Sequence, residues 1–393
     1  MHWSTLSWIA GTLLGLVWFS RIVDAALGMP SLTDVALPEW DRKPPTPCGE
    51  PRVSIIVPAR NEERDIGATL ESLLAIDYSA YEVIAVNDRS ADATGGCMDH
   101  VASTPAAHGR LRVLHVAELP PGWLGKTHAM WTAARESTVD WLLFTDADVL
   151  FRPDALRRVI AYAEATRADH VVLFPHMLMH SPGERMMIAF FQALFVFGHR
   201  PWKVADPKAR DHMGVGAFNL VRRSVYESVG TYQALRMEVL DDMKLGKLVK
   251  NGGFAQRVVF GEDLISLHWA KGALGMVNNL TKNFFAVLSF QWTRTLASIL
   301  ALAFLNLGPF LGVWLAHGWA RLPYAVALAS LFGIYYGMSR MSAISPVYFF
   351  LHPVSSVLII YTLARSMFHA LWNDGVVWRG TRYPLDELRR GLV

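Results

Sequence analysis

Uncharged, apolar stretches at both ends of the chain limit its possible folds more than any other feature. Residues 5–20 form the first stretch, and three more follow late in the sequence: Leu296–Ala316, Tyr324–Met338 and Val347–Leu363. About 20 such residues are needed to cross the ~30 Å hydrocarbon core of a bilayer. The sequence therefore predicts an N-terminal membrane anchor at residues 1–29 and a C-terminal membrane region at residues 296–365, preceded by an interfacial segment at 281–295.

The charged residues near these stretches leave the membrane topology open. The tail at residues 366–393 carries four arginines that bear on it: Arg379, Arg382, Arg389 and Arg390. An excess of basic residues indicates a cytoplasmic location. If the domain between the membrane regions is also cytoplasmic, three complete C-terminal crossings would place the tail on the opposite side. Either one stretch is re-entrant or interfacial, or the charge rule fails for this chain.

Between the membrane regions, the sequence has the pattern of a soluble α/β domain. Residues 30–51 are rich in proline and polar residues, have no period, and are predicted to be a linker. From residue 52 to 280, short apolar runs alternate with stretches of helical spacing. The runs predicted as strands are Val53–Val57, Val83–Val86, Leu111–Val116, Trp141–Phe144 and Val171–Phe174. This alternation predicts a mostly parallel sheet that binds ligands beyond the carboxyl ends of its strands.

Charge and glycine patterns argue against several classes of function. The formal net charge is only +3, and no run of lysine and arginine is interleaved with aromatic residues, as a nucleic-acid-binding surface requires. The first predicted strand is not followed by G-x-G-x-x-G, and the sequence contains no P-loop motif. We therefore expect no nucleic-acid partner and no dinucleotide-dependent dehydrogenase.

Acidic residues follow two of the predicted strands. Asp88 comes just after Val83–Val86, and Asp146 and Asp148 come just after Trp141–Phe144. Residues two apart in extended backbone point to the same face, so Asp146 and Asp148 can enter one site. One carboxylate would hold a divalent cation, and Mg²⁺ or Mn²⁺ suits a shell of oxygen ligands completed by substrate phosphates. The pattern predicts a site for a nucleotide that carries a diphosphate.

A second acidic pair, Asp241-Asp242, stands at the start of a run with helical spacing that Asn251-Gly252-Gly253 can end. The helix dipole favours the ionised form of a carboxylate in the first turn, and a general base must be ionised. We therefore expect Asp242 to deprotonate an acceptor hydroxyl. Helix capping is the alternative role for such a pair.

Four segments in order resemble family 2 glycosyltransferases with a GT-A fold: VSIIVPARNEERDIGATLESLLAIDY, VNDRSADAT, LLFTDADV and EVLDDMKLGKLV. The segment PPGWLGKTHAM is similar to the membrane-anchored branch, which includes hopene-associated and carotenoid glycosyltransferases and, more distantly, ceramide glucosyltransferases. The resemblance covers roughly residues 50–300. It implies a GT-A domain at residues 52–280 and inverting transfer of a sugar from a UDP- or GDP-type donor with Mg²⁺ or Mn²⁺.

The resemblance also implies roles for individual residues. Pro58, Ala59 and Glu62 would line the nucleotide pocket, and Asp88 would face the base. Of the D-x-D pair formed by residues 146 and 148, the second would be the better metal ligand. The acidic residue before the catalytic base, commonly Glu in the family, is Asp241 in this chain.

Two basic residues are further candidates. Lys126, within GWLGK, would supply positive charge near the donor unless it is a solvated loop lysine. Gln291 and Arg294 resemble the Q/R-x-x-R-W signature of processive synthases and ceramide glucosyltransferases, but Thr295 replaces the tryptophan. Arg294 would then approach the diphosphate or the acceptor, or it would be an interfacial anchor before the apolar stretch.

These observations predict an integral membrane enzyme of a bacterial inner or plasma membrane, with its catalytic domain in the cytoplasm. The enzyme would move a sugar from a nucleotide diphosphate sugar to a lipid or membrane-delivered acceptor. A processive polysaccharide synthase and a non-catalytic membrane scaffold with a transferase-like domain are the alternatives. Nucleotidyltransferases also use strand-end acids, and they would release pyrophosphate instead of a nucleoside diphosphate.

Overall fold

The computed structural model describes residues 3–44, 49–342 and 344–393 of the chain. The first two residues of the predicted anchor and residues 45–48 of the predicted linker lie outside this part. The chain forms two compact units. The helical unit comprises residues 1–31, 179–200 and 269–377, and the sheet unit comprises residues 32–178, 201–268 and 378–393.

The strands are numbered in chain order: β1 (Thr33–Asp34), β2 (Val53–Ala59), β3 (Tyr81–Asp88), β4 (Leu111–Val116), β5 (Trp141–Phe144), β6 (Val149–Phe151), β7 (His170–Leu173), β8 (His176–Met177), β9 (Asn219–Arg222), β10 (Gln256–Phe260), β11 (Ile265–Leu267), β12 (Gly375–Trp378) and β13 (Thr381–Pro384). The helices are α1 (Trp3–Gly28), α2 (Ile66–Leu74), α3 (Thr94–Ala102), α4 (Gly125–Arg135), α5 (Ala155–Ala165), α6 (Pro182–Gly198), α7 (Arg223–Ser228), α8 (Thr231–Ala234), α9 (Asp241–Asn251), α10 (Gly272–Val287), α11 (Trp292–Leu315), α12 (Leu322–Ser339), α13 (His352–Trp372) and α14 (Leu385–Arg390).

A central eight-stranded sheet organises the sheet unit, in the order β1-β10-β7-β9-β5-β2-β3-β4. Neighbouring strands are parallel except at β9, which runs antiparallel to both β5 and β7. Every residue of β2 and β5 is buried, as expected for central strands covered on both faces. The mostly parallel sheet is confirmed, and all five predicted strands are present. Sequence reasoning did not identify β9, a four-residue strand next to a short helix.

The predicted linker differs from the structure over residues 30–44. Strand β1 pairs in parallel with β10 at the edge of the central sheet. The guanidinium group of Arg158 donates to the carbonyl oxygens of Ala36 and Leu37, at 3.1 and 3.0 Å, and to the Asp41 carboxylate at 2.9 Å. A two-residue strand is too short to produce a period, so this docking left no pattern in the sequence.

Among the described residues, the helical unit has four segments that are long and apolar enough to cross a membrane: Ser4–Ser31, Trp292–Leu315, Gly318–Ser339 and Pro346–Trp372. Each overlaps one of the four predicted stretches. The last one is divided, because a short 3₁₀ helix at Pro346–Leu351 precedes α13. Pro353 lies in the first turn of α13, where its missing N–H leaves no hydrogen bond unmade. Helix α13 then continues to Trp372, well past the predicted end at Leu363.

The directions of three of these helices follow from their side-chain contacts. The contacts are Gly11 with Tyr324 and Ile22 with Gly333 between α1 and α12, and Leu14 with Gly308 and Trp18 with Leu305 between α1 and α11. Residue numbers rise together in the first pair and in opposite senses in the second. Helix α1 is therefore parallel to α12 and antiparallel to α11.

A buried polar contact joins α11, α12 and the start of α13. The Nε2 atom of His352 lies 3.1 Å from Oδ1 of Asn306, and the Tyr335 hydroxyl lies 3.0 Å from Nδ1. Because the Asn306 amide nitrogen donates to the carbonyl oxygen of Leu302, its Oδ1 is the acceptor for the His352 N–H. The N-terminus of α13 is thus held beside the middle of α11.

Candidate active site

The ammonium group of Lys126 lies among carboxylates from two separate loops. Helix α4 begins at Gly125, so Lys126 stands in its first turn. The Nζ atom is 2.8 Å from Oδ1 of Asp146 and 3.5 Å from Oδ1 of Asp241, and the side chain is only 20% exposed. Burial lowers the pKa of Lys126, but the negative charges of Asp146, Asp241 and Asp242 outweigh it and raise the pKa above its ordinary value. The alternative of a solvated loop lysine is wrong.

Asp146 and Asp148 lie in the turn between β5 and β6. The Asp146 N–H donates to the carbonyl oxygen of Gly216 at 3.0 Å, which fixes this turn against the segment before β9. Burial, together with the negative charges of Asp146 and Glu62, raises the pKa of Asp148 to about 7. The carboxylates of Asp146, Asp148 and Glu62 therefore share this part of the site. Their mutual repulsion favours the binding of a cation.

Asp241 and Asp242 occupy the first turn of α9, as predicted from the sequence. Asp241 is buried, whereas Asp242 is partly open, and its Oδ1 accepts from the N–H of Met243 at 2.7 Å. Burial raises the pKa of Asp242, and the positive charge of Lys126 lowers it in part. This result differs from the expectation based on the helix dipole alone, because the dipole argument did not include loss of solvent.

The Asp88 carboxylate lies at the end of β3 and is held by arginines. Arg89 donates to its two oxygens at 2.7 and 3.0 Å, and Nη1 of Arg60 lies 3.9 Å away. A side chain at Gly125 would overlap this carboxylate, so only glycine allows α4 to begin so close to β3. Asp88 therefore adjoins Gly125, the residue before Lys126. It lies beside the carboxylate cluster, defined here as Asp146, Asp241 and Asp242 around Lys126.

The other predicted site residues fall at two places in the chain. Pro58 and Ala59 end β2 and are buried, and Glu62 follows them on the next loop. Burial raises the pKa of Glu62, and the nearby Arg379 lowers it in part. Arg294 belongs to the helical unit, where its exposed side chain donates to the Ser289 hydroxyl at 3.4 Å.

Sequence reasoning missed several residues that line the recess around Lys126. They include Gly216, Asn219 and Tyr232. A side chain at Gly216 would overlap the Asp146 carboxylate, so this glycine is required by close approach. The pair Gly214-Val-Gly216 before a strand was the only available signal, whereas Asn219 and Tyr232 have no local pattern.

A buried hydrogen-bond network connects strands of the central sheet to residues that line this recess. Gln256 Oε1 accepts from the N–H of Met213 at 2.9 Å, so its amide nitrogen donates to Nδ1 of His170 at 2.6 Å. His170 therefore carries its proton on Nε2 and donates to Oδ1 of Asn219. The Asn219 amide in turn donates to the carbonyl oxygen of Asp242 at 3.4 Å. Through these bonds, the sheet sets the position of the first turn of α9.

Comparison with known proteins agrees with this geometry. Residues 54–230 match the family model for glycosyl transferase family 2. A 4,4'-diaponeurosporenoate glycosyltransferase from Staphylococcus aureus is 22% identical over 347 residues, which span 85% of this chain and 89% of that protein.

Solved structures are also similar in fold. A mannosyltransferase from Pyrobaculum calidifontis, in complex with GDP-Man and Mn²⁺, covers 93% of this chain and 99% of its own, with a TM-score of 0.53 and 19% identity. A glucosyl-3-phosphoglycerate synthase from Mycobacterium tuberculosis, in complex with Mn²⁺, UDP and phosphoglyceric acid, covers 61% of this chain and 78% of its own, with a TM-score of 0.40 and 18% identity. The resemblance inferred from the sequence motifs is confirmed.

Proposed function

We propose that this chain, a family 2 glycosyltransferase with a GT-A fold, transfers a sugar from a UDP- or GDP-sugar to a lipid acceptor with inversion of configuration. The observation that carries the proposal is Lys126, whose ammonium group joins the Asp146 loop to the first turn of α9. Asp146 and the predicted base, Asp242, therefore line one recess. The GDP-Man bound to the Pyrobaculum mannosyltransferase supports the donor class, and the staphylococcal relative supports a lipid acceptor.

The residues present fit a divalent cation. Asp148 and Asp146 would hold Mg²⁺ or Mn²⁺. The observation behind this fit is that burial and the neighbouring carboxylates of Asp146 and Glu62 raise the pKa of Asp148. In the described part of the chain, three or more His, Cys, Asp or Glu side chains do not form a ready-made metal site, so the donor phosphates would complete the ligand shell. When bound, the cation would neutralise charge on the departing diphosphate.

Asp242 is the proposed general base. Its carboxylate is more open than that of Asp241, and its raised pKa lies closer to neutral pH, which favours proton transfer from a hydroxyl. Asp242 would take the proton as the acceptor oxygen attacks the anomeric carbon from the side opposite the diphosphate. Lys126 would keep Asp241 and Asp146 oriented and would place positive charge near the donor.

The pocket for the nucleotide is proposed to lie at the ends of β2 and β3. Pro58, Ala59 and Glu62 would line it, and Asp88 would face the base, with Arg89 and Arg60 holding its carboxylate. Arg294 would approach the diphosphate or the acceptor. The membrane anchors would restrict the acceptor to two dimensions, which reduces the entropic cost of the encounter.

A cytoplasmic active site and a re-entrant α13 are proposed for the topology. Residues 201–268 and 378–393 belong to one compact unit, so the chain between them must cross the membrane an even number of times. Helices α11 and α12 supply one crossing each. The start of α13 is held beside the middle of α11 by His352, which supports an entry and return on the same side. This arrangement removes the conflict with the basic tail.

The test of the function is incubation of membranes that contain the protein with labelled UDP- and GDP-sugars, followed by lipid extraction and mass analysis. We expect one added sugar on a lipid and release of free nucleoside diphosphate. The Asp242→Asn variant should still bind the donor nucleotide but lose turnover. Release of pyrophosphate, or normal turnover by Asp242→Asn, would contradict the proposed reaction or its base. A long polysaccharide product would favour the processive alternative.

The test of the topology uses a single cysteine in place of the exposed Arg390, in a chain without other cysteines. A membrane-impermeant maleimide should label it in inverted vesicles and not in intact cells. Because the tail belongs to the sheet unit, labelling in intact cells would place both outside and refute the cytoplasmic active site.

A further inference from the structure

The last residues of the chain dock on the sheet unit as a strap, defined here as residues 378–393. Helix α14 buries Leu385 and Leu388. The N–H of Val393 donates to the Glu238 carboxylate, just before α9. The strap therefore has an apolar attachment of its own, which does not involve the carboxylate cluster.

The turn at the start of the strap contacts the loop after β2. Nη1 of Arg379 donates to the carbonyl oxygen of Asn61 at 3.0 Å, and Nη2 donates to the Glu62 carboxylate. Arg379 and Asn61 both adopt left-handed backbone conformations, with φ of 48° and 56°. Such conformations are costly for residues other than glycine and persist where surrounding contacts fix them.

The next strand of the strap contacts the start of α4. The Tyr383 hydroxyl oxygen accepts from the N–H of Gly125 at 3.2 Å and from the side chain of Arg89. The Tyr383 ring is buried. Arg89 holds the Asp88 carboxylate, and Gly125 precedes Lys126, so one phenol oxygen contacts two elements of the proposed donor site.

We propose that Arg379 and Tyr383 are positioning residues for the nucleotide diphosphate of the donor, an inference that rests on the proposed function. Arg379 fixes the loop that carries Glu62, and Tyr383 fixes Arg89 and the start of α4. The docked strap thereby fixes the relative positions of three donor-binding segments: the loop that carries Glu62, Arg89 after β3, and the start of α4. Because α13 ends at Trp372, a few residues before the strap, the donor site is connected by the chain itself to the membrane region.

The test measures binding of GDP and UDP, each with Mn²⁺, to the full-length detergent-solubilised protein, together with its melting temperature. We expect Arg379→Gln and Tyr383→Phe each to weaken nucleotide binding about tenfold, the effect of losing one or two hydrogen bonds to polar or charged partners. The donor KM should rise by a similar factor, with kcat changed by less than about twofold. The melting temperature should stay at the wild-type value, because Leu385 and Leu388 keep the strap attached.

Each variant has a matched control. Arg389→Gln also removes one positive charge from the strap. The Arg389 side chain is 42% exposed and that of Arg379 is 41% exposed, but Arg389 pairs with Asp386, within the strap. Tyr78→Phe removes a buried hydroxyl that donates to the carbonyl oxygen of Pro51, outside the cluster described above. Both controls should bind the nucleotide as wild type does.

Three results would overturn the inference. The first is wild-type nucleotide affinity in both Arg379→Gln and Tyr383→Phe. The second is an equal loss of affinity in Arg389→Gln, which would reduce the role of Arg379 to general charge. The third is a loss of affinity that appears only together with a lower melting temperature. If the wild-type protein binds neither GDP nor UDP, the proposed function fails and the inference fails with it.

Discussion

Acid should destabilise the fold through His170, and the structure sets the size of this effect. The His170 ring is fully buried, and its Nδ1 accepts from the Gln256 amide N–H. A second proton, on Nδ1, would therefore point at another hydrogen-bond donor. Burial lowers the pKa of His170 from its ordinary 6.5 to about 4. Below pH ~6.5 the unfolded chain binds a proton that the folded chain resists, so stability falls as the pH decreases towards about 4. The full interval between the two pKa values corresponds to about 3 kcal/mol.

The assay is urea denaturation of the detergent-solubilised protein at pH values of about 7.5 and 4.5, followed by tryptophan fluorescence. Other groups titrate over this range, so the informative quantity is the difference between the wild type and His170→Gln. We expect the wild type to lose about 2–3 kcal/mol more between the two pH values than the variant, although the variant is less stable at neutral pH. His108→Gln, at an exposed position, is the matched control and should follow the wild type. Identical pH dependence in wild type and His170→Gln would refute the reasoning.

Three further predictions concern the active site. Lys126→Met should abolish transfer and lower stability by about 3–5 kcal/mol, because it leaves the buried Asp241 carboxylate unpaired. Wild-type stability in thermal melting would contradict this. Asp148→Asn should bind Mn²⁺ more weakly, since the ion needs this carboxylate. A chelator should stop transfer by the wild type, and transfer that a chelator does not affect would refute the metal role. Gly216→Ala should reduce kcat at least about tenfold, because its methyl group displaces Asp146, while Gly96→Ala, in helix α3, where the added carbon meets no neighbouring atom, should not. Unchanged kcat in Gly216→Ala would show that the position of Asp146 is not critical.

The sequence by itself predicted five strands of the central sheet and most of the acidic residues of the candidate site. Strand-length apolar runs end directly before Asp88 and Asp146, and parallel strands bring such ends to one edge of a sheet, so local order was enough to indicate a shared site. The apolar stretches at both ends were equally readable, because crossing a bilayer requires a length that few other structures need. The first turn of α9 was predicted from the acidic pair and from the glycines that follow the helix.

Only the tertiary structure determines which charged side chains contact each other and how burial shifts their pKa values. Lys126 contacts Asp241, more than a hundred residues away in sequence, and Arg379 contacts Glu62 across most of the chain. No local pattern records such pairs, since they depend on how the sheet is ordered and on where the strap returns to it. Burial, which raises the pKa of Asp242, is likewise a property of the assembled fold, because the sequence gives the charge of a side chain but not the solvent that remains around it.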